Sequence, residues 1–210
     1  MSRPLDPPRD CPLCPRLVAF HAVNRTAHPD WHNAPVPAFG GLDASLLIVG
    51  LAPGLKGANR TGRPFTGDYA GDLLYATLLK LGLARGDYRQ RPDDGLTLIG
   101  CRITNAVRCV PPENKPTPAE AKACGPFLVK EIAALPKLKS ILVLGRISHE
   151  ASLRALGQKP SAYVFGHGKI HALPSGIRLI DSYHCSRYNT QTNRLTPDMF
   201  ETAVRLAAEL

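Results

Sequence analysis

Cys11 and Cys14 form a CxxC pair near the start of a 210-residue chain, and Cys109 and Cys124 lie far downstream. Four thiolates of this kind can close one site, and both zinc and an iron-sulphur cluster favour tetrahedral thiolate sets. In a reducing compartment a disulfide framework is not expected, so the paired spacing reads as metal binding. Cys101 falls in a stretch that reads as strand and is expected to be a buried thiol, while Cys185 falls in a loop.

A second group of reactive residues follows the ends of apolar runs. GLAPGLKGANRTGRPFTGD, residues 50–68, is a Gly-rich turn directly after one such run. Parallel sheets place ligands at this edge, because backbone can approach closely there and amides point outward. The segment has neither a GxGxxG pattern nor the GK[ST] ending of a phosphate loop. A second run ends in Asn105, and the last ends in Asp181-Ser182-Tyr183-His184. Each has a plainer reading alone: Asn105 as a loop cap, His184 as a satisfied polar residue, Phe65 as core. Together they put a glycine-rich loop, a carboxamide and an imidazole around one cleft.

The elements that must hold these groups are visible in the pattern. The runs 46–49, 98–104, 141–144 and 177–180 are short, β-branched and unalternating, as strands covered on both faces are. Leu73, Leu74, Thr77, Leu78 and Leu81 share one helical face, closed by Gly82. Thr117-Pro118-Ala119-Glu120 is a capping box that opens a helix to about residue 135. Further helices are expected over 147–156 and from Thr196-Pro197 to the C-terminus. Strand–helix alternation predicts one α/β domain over 1–210: three α/β/α layers around a central, mostly parallel four-stranded sheet. The segments 24–41, 51–67 and 184–195 read as long loops, commonly functional, and 163–174 as a glycine-turned hairpin.

Composition sets the outer bounds. Lys plus Arg number 26 against 17 Asp plus Glu, a formal charge of +9 on a chain that is 44% hydrophobic. That is too apolar for a disordered basic tail, and the charge favours a polyanionic partner, nucleic acid ahead of a membrane surface. No apolar run approaches the roughly 20 residues that cross a bilayer, and no hydrophobic signal segment opens the chain, so a cytoplasmic protein is expected.

GLAPG, NRTGRPFTGD, ITNAVRCVPPENKPTPAEAKAC and SYHCSRYNTQTNRLT, with CPLC at the start and FGHGK before the last strand, occur in one order over residues 11–195. In these motifs the chain resembles the iron-sulphur uracil-DNA glycosylases, family 5 most of all. The resemblance implies a monofunctional enzyme that flips uracil and other deaminated bases, hypoxanthine among them, out of DNA. It then hydrolyses the N-glycosidic bond and so initiates base excision repair. Flipping is needed because the reacting atoms are inaccessible inside the stack.

By the same resemblance Phe65 stacks on the flipped base, Asn105 reads its Watson-Crick edge, and Gly50, Ala52, Pro53 and Gly54 line the pocket. His184 hydrogen-bonds the base oxygen on which charge builds. Family 4 carries a Glu where this chain has Leu51; family 5 shares that departure, and its water-positioning acid matches Asp68, with Asn114 as a second polar residue. Asp72 competes, although it also suits a helix N-terminus. Cys11, Cys14, Cys109 and Cys124 match the 4Fe-4S ligands, which would tie segment 1–45 to the core; zinc is the alternative. Arg187, Tyr188 and Gln191 are the residues able to fill the gap left by the flipped base, while Arg60, Arg63 and Arg194, like Asn59, Arg108 and Lys115, read as contacts to DNA. A monomer, nucleoid-associated through its substrate, is expected; a sliding-clamp partner is left open. The competing function is a non-catalytic or damage-trapping iron-sulphur DNA-binding module, but its KRRIH-type segment is absent and IDSYH stands before the loop. A small-molecule hydrolase would need a GxSxG elbow, which is also absent.

Overall fold

Four β-branched runs pair in parallel, and a fifth, shorter strand joins them. The computed structural model describes residues 5–209. In chain order the elements are α1 (Pro15–Ala27), β1 (Leu46–Gly50), α2 (Ala58–Thr61), α3 (Tyr69–Lys80), β2 (Ala84–Arg85), β3 (Thr97–Leu98) and β4 (Cys101–Asn105). They continue with α4 (Pro118–Ala133), β5 (Ser140–Leu144), α5 (Arg146–Ala155), β6 (Ile170–Ala172), β7 (Arg178–Ser182), α6 (Arg187–Gln191) and α7 (Pro197–Ala208). The main sheet has the order β4-β1-β5-β7-β6, with only β6 antiparallel. The expected sheet of four strands therefore has five.

Successive residues of each strand enter opposite cores. Leu46, Ile48, Ile103, Leu142 and Ile180 meet Leu74, Tyr75 and Leu78 of α3 and Phe200 and Val204 of α7. Leu47, Val49, Ile141, Val143 and Leu179 meet Leu128 of α4 and Ala151 and Leu153 of α5. Each such aliphatic side chain contributes roughly 1.5–3 kcal/mol by leaving water, so both sheet faces must be covered and three layers result. The chain crosses from β4 past β1 to β5, and this reversal opens a crevice at the carboxyl ends of the strands.

Local chemistry sets several boundaries. Thr117 Oγ1 accepts from Glu120 N at 3.2 Å and Glu120 Oε2 accepts from Thr117 N at 2.8 Å, completing the capping box of α4. The same carboxylate receives Arg16 of α1 at 2.8 Å, which docks the N-terminal helix on α4. The run 98–104 is two strands rather than one, because Gly100 turns between them at φ +64°. The expected 163–174 hairpin is displaced: β6 pairs with β7 around the turn at Pro174–Gly176, and FGHGK precedes it. Helix α1 enters the expected 24–41 loop as far as Ala27, and Ser186 caps a helical turn, α6, inside the expected 184–195 loop.

Two arginines assigned from sequence to DNA are structural instead. Arg63 is 5% exposed and forms a two-pronged pair with Asp94 at 2.7 Å, its guanidinium surrounded by Phe39, Tyr75 and Tyr88. Arg108 is 1% exposed and joins Glu131 and Asp6, while Arg102 bonds the other oxygen of Glu131. Buried guanidinium groups need such acids, since an unpaired buried charge is prohibitively costly. Asn59 is likewise buried and donates to Asn33 Oδ1 at 2.9 Å.

The FGHGK segment is anchored by Asp181 on β7. Its carboxylate receives Gly166 N at 3.0 Å and lies 2.7 Å from His149 Nδ1 and 2.9 Å from His171 Nε2. All three side chains are buried, and these separations are hydrogen-bond lengths. Replacing Asp181→Asn turns one acceptor into a donor facing donors. A loss of about 3 kcal/mol or more is expected in urea unfolding, and a midpoint equal to the parent's would contradict this bracing role.

Candidate active site

The crevice is a cleft of about 670 Å³ bounded by the loop after β1, the start of α3, Asn105 and the segment after β7. Gly50 and Asn105 lie opposite each other in the β1–β4 register. A Cβ on Gly50 would sit 2.4 Å from Asn105 Oδ1 and 2.5 Å from Phe65 Cζ, so only glycine admits both groups. Asn105 Oδ1 is buried and has no hydrogen-bond partner among the described residues. An unused buried acceptor costs roughly 1–3 kcal/mol, and here it lines a cleft large enough for a ligand donor.

Phe65 is held in the left-handed region at φ +52°, where a phenylalanine is strained. Its carbonyl accepts from Tyr88 Oη at 3.1 Å and lies over Gly71, where a Cβ would approach within 1.8 Å. The strained turn directs the ring into the cleft, with its centroid 6.1 Å from that of His184 and the planes 28° apart. Burial lowers the His184 pKa to about 4, so the imidazole is neutral at physiological pH and can only donate from one nitrogen. Asn189 Nδ2 donates to the His184 carbonyl at 2.8 Å, fixing that backbone against α6.

Asp68 caps α3, with Oδ1 accepting from Gly71 N at 3.2 Å. Its Oδ2 faces Gly54 and Gly57, whose added Cβ atoms would lie 2.8 and 2.2 Å away, so the glycines let the loop close over this oxygen. Burial pushes the Asp68 pKa up, the Gly71 and Ala70 amides oppose the rise, and Asp72 adds to it. The Cys185 thiol lies beneath, donating to Ala70 O at 3.4 Å. Asp72 is turned away, accepting from Gln90 Nε2 at 2.7 Å, and does not line the cleft. Asn114 does line it, from an exposed turn in which it and Glu113 adopt φ values of +57° and +55°.

The basic residues fall on different surfaces. Arg187 lines the cleft, stacked over Tyr69 at 5.4 Å, and Tyr188 beside it is 71% exposed. Gln191 is exposed at the end of α6. Arg194 lies over Tyr183 at 4.6 Å, in a separate hollow that shares His184 with the cleft. Arg60 is exposed on α2, next to Gly67, and Lys115 is exposed beside Glu113. Ala52, Pro53 and Gly54 form the cleft wall. Sequence reasoning did not foresee the role of Cys185 under α3 or of Tyr69 under Arg187; neither has a motif of its own.

Cys11, Cys14, Cys109 and Cys124 line a single small cavity together with apolar residues and His21. Burial pushes the Cys109 thiol up strongly, and Cys124, Cys11 and Cys14 add to the shift, so the four sulfurs are electrostatic neighbours. The Arg108 amide donates to Cys124 Sγ at 3.4 Å. Cys101 is a buried core thiol, as expected, donating to Leu83 O at 3.3 Å.

The sequence model of the uracil DNA glycosylase superfamily matches residues 37–208, from the approach to β1 through α7. The chain belongs to this superfamily. It is 48% identical over 196 residues to a type-5 uracil-DNA glycosylase of Thermus thermophilus, a match covering 90% of this chain and 89% of the relative. Type-5 uracil-DNA glycosylases of Mycobacterium bovis and Pyrobaculum aerophilum are 43% and 37% identical, each over 95% of this chain and 78% and 88% of their own lengths. Type-4 members are also similar, one from Archaeoglobus fulgidus at 37% over 71% of this chain and 69% of its own.

For this superfamily member Gly50 is the point at which the Phe65 ring and the Asn105 carboxamide are brought together. Gly50→Ala must displace the Phe65 ring or the Asn105 carboxamide. Base excision is expected to fall at least tenfold in kcat/KM, about 1.4 kcal/mol, with the melting temperature nearly kept. Unchanged kinetics would show that the pair does not shape the reacting pocket.

Proposed function

We propose that this protein is a monofunctional DNA glycosylase that excises uracil, and other deaminated bases including hypoxanthine, from DNA. The observation that supports this most is the convergence on one cleft of an unpartnered Asn105 Oδ1, a neutral His184, the Phe65 ring and the open oxygen of Asp68. A flipped uracil stacks on Phe65 and gives its ring N–H to Asn105 Oδ1. Water attacks the deoxyribose C1′ as the C1′–N bond breaks, and the bonding pair leaves with the base. His184 donates to the base oxygen that gains this charge, an interaction strengthened by exclusion of water. Asp68, when ionised, accepts the proton of the attacking water, with Asn114 at the rim orienting it. Arg60, Arg187 and Arg194 hold the strand, and Tyr188, Arg187 or Gln191 fills the space the base vacates. The enzyme acts as a monomer on nucleoid DNA in the cytoplasm. Among the described residues no helix is long and apolar enough to cross a membrane.

The cysteines suit a 4Fe-4S cluster better than zinc. One zinc at about 2.3 Å from four sulfurs holds them about 3.8 Å apart. Among the described residues no three cysteine sulfurs lie within 4.8 Å of one another. A cubane carries its thiolates on separate irons, which suits the wider set. Its contribution would be structural, joining segment 1–45 to the loop after β4 and to α4.

Duplexes carrying uracil, hypoxanthine or only ordinary bases, incubated with the protein and then treated with alkali, test this reading. Alkali-dependent breaks at uracil and hypoxanthine are expected. Breaks at neither lesion would reject the activity; breaks at uracil alone would narrow its range; breaks without alkali would make Lys56, on the cleft wall, a lyase nucleophile.

A further inference from the structure

The cysteine cavity contains one more polar group. His21 on α1 is 6% exposed and lines the cavity with Cys11, Cys14, Cys109 and Cys124. Its Nε2 is sealed from solvent and has no hydrogen-bond partner among the described residues. Cys14 caps the start of α1, and His21 follows it by two helical turns, so both project from the same side. Leu17 and Val18 of α1 line the same cavity, as do Val107 after β4 and Phe127 of α4. A buried ring nitrogen without a partner is costly and rare in native cores. The side-chain acceptors that share this cavity are the four sulfurs and whatever they hold.

We infer that His21 donates an Nε2–H hydrogen bond to a thiolate or sulfide of the cluster held by the four cysteines, positioning the cofactor and tuning its reduction. The inference rests on the 4Fe-4S reading above. Metal ligands are commonly fixed by such outer hydrogen bonds, and hydrogen bonds to cluster sulfurs help set the potential. The reduced cluster carries one more negative charge, so a donor stabilises it more than the oxidised form. Removing the donor makes reduction harder.

Anaerobically purified wild-type protein, His21→Leu and His21→Gln are compared by optical redox titration, with iron, zinc and sulfide content and circular dichroism measured on the same samples. Poised at the wild-type midpoint, His21→Leu is expected to show a reduced-to-oxidised ratio lowered about tenfold, equivalent to 59 mV for one electron. His21→Gln, which keeps an N–H donor, should recover part of the difference. Loss of iron from the Leu variant alone, with unchanged circular dichroism and retention in the Gln variant, supports the same role. Equal midpoints in three fully loaded proteins overturn the role of His21 and leave the cluster reading standing. Wild-type protein that carries zinc, or no iron, overturns both.

Discussion

Asp68→Asn is expected to lower the rate of uracil excision by about 10²–10⁴-fold, the range for losing a positioned general base, while binding of uracil-containing DNA is retained. Asparagine can still cap α3 by accepting from Gly71 N, which receives the carboxylate at 3.2 Å. What it removes is a proton acceptor on the side facing Gly54 and Gly57. Single-turnover kinetics against equilibrium binding separates these effects, and a rate within a factor of three of the parent would remove Asp68 from the chemistry. The pH profile gives a second check. Burial raises the Asp68 pKa, so its ionised form, and the rate with it, is lost on acidification above the ordinary carboxylate range. The acid limb should vanish from the residual activity of Asp68→Asn.

His184→Leu is expected to cost about 10²–10³ in the chemical step, the cost of removing one donor aimed at developing negative charge. The imidazole also leaves a signature in stability. Its pKa falls from 6.5 when free to about 4 in the fold, so below pH 6.5 the unfolded chain takes up the proton first. Stability is therefore full above that value and is lost as pH falls towards 4, by roughly 3 kcal/mol in all. In His184→Leu this part of the acid destabilisation should disappear. An equal loss in parent and variant would show that His184 is solvated and titrates freely, and the dry pocket assumed for the reaction would then be wrong.

The sheet and the reacting groups were more legible in the sequence than their supports. β1, β4, β5 and β7 show as β-branched runs because both faces are covered, and α4 shows through Thr117 and Glu120. β6 does not, since His171 alone is buried in its three residues and its pairing partner supplies the order. The strand-end residues Asn105 and His184 and the glycine-rich turn do converge on one cleft. The arginines mislead, because nothing local to Arg63 or Arg108 announces that Asp94 lies 31 residues away in sequence and Glu131 23 residues away. Asn59 fails for the same reason. The acceptor left open on Asn105 and the unpartnered nitrogen of His21 are properties of packing alone.

Displacement of the base by water that Asp68 activates is read from chromatographic release of free uracil from a uracil-containing duplex under single-turnover conditions. The predicted result is one uracil per site, with the strand intact until alkali is added and with release abolished or slowed in Asp68→Asn. An absence of free uracil in the presence of tight DNA binding, or equal release by the parent and Asp68→Asn, would contradict it.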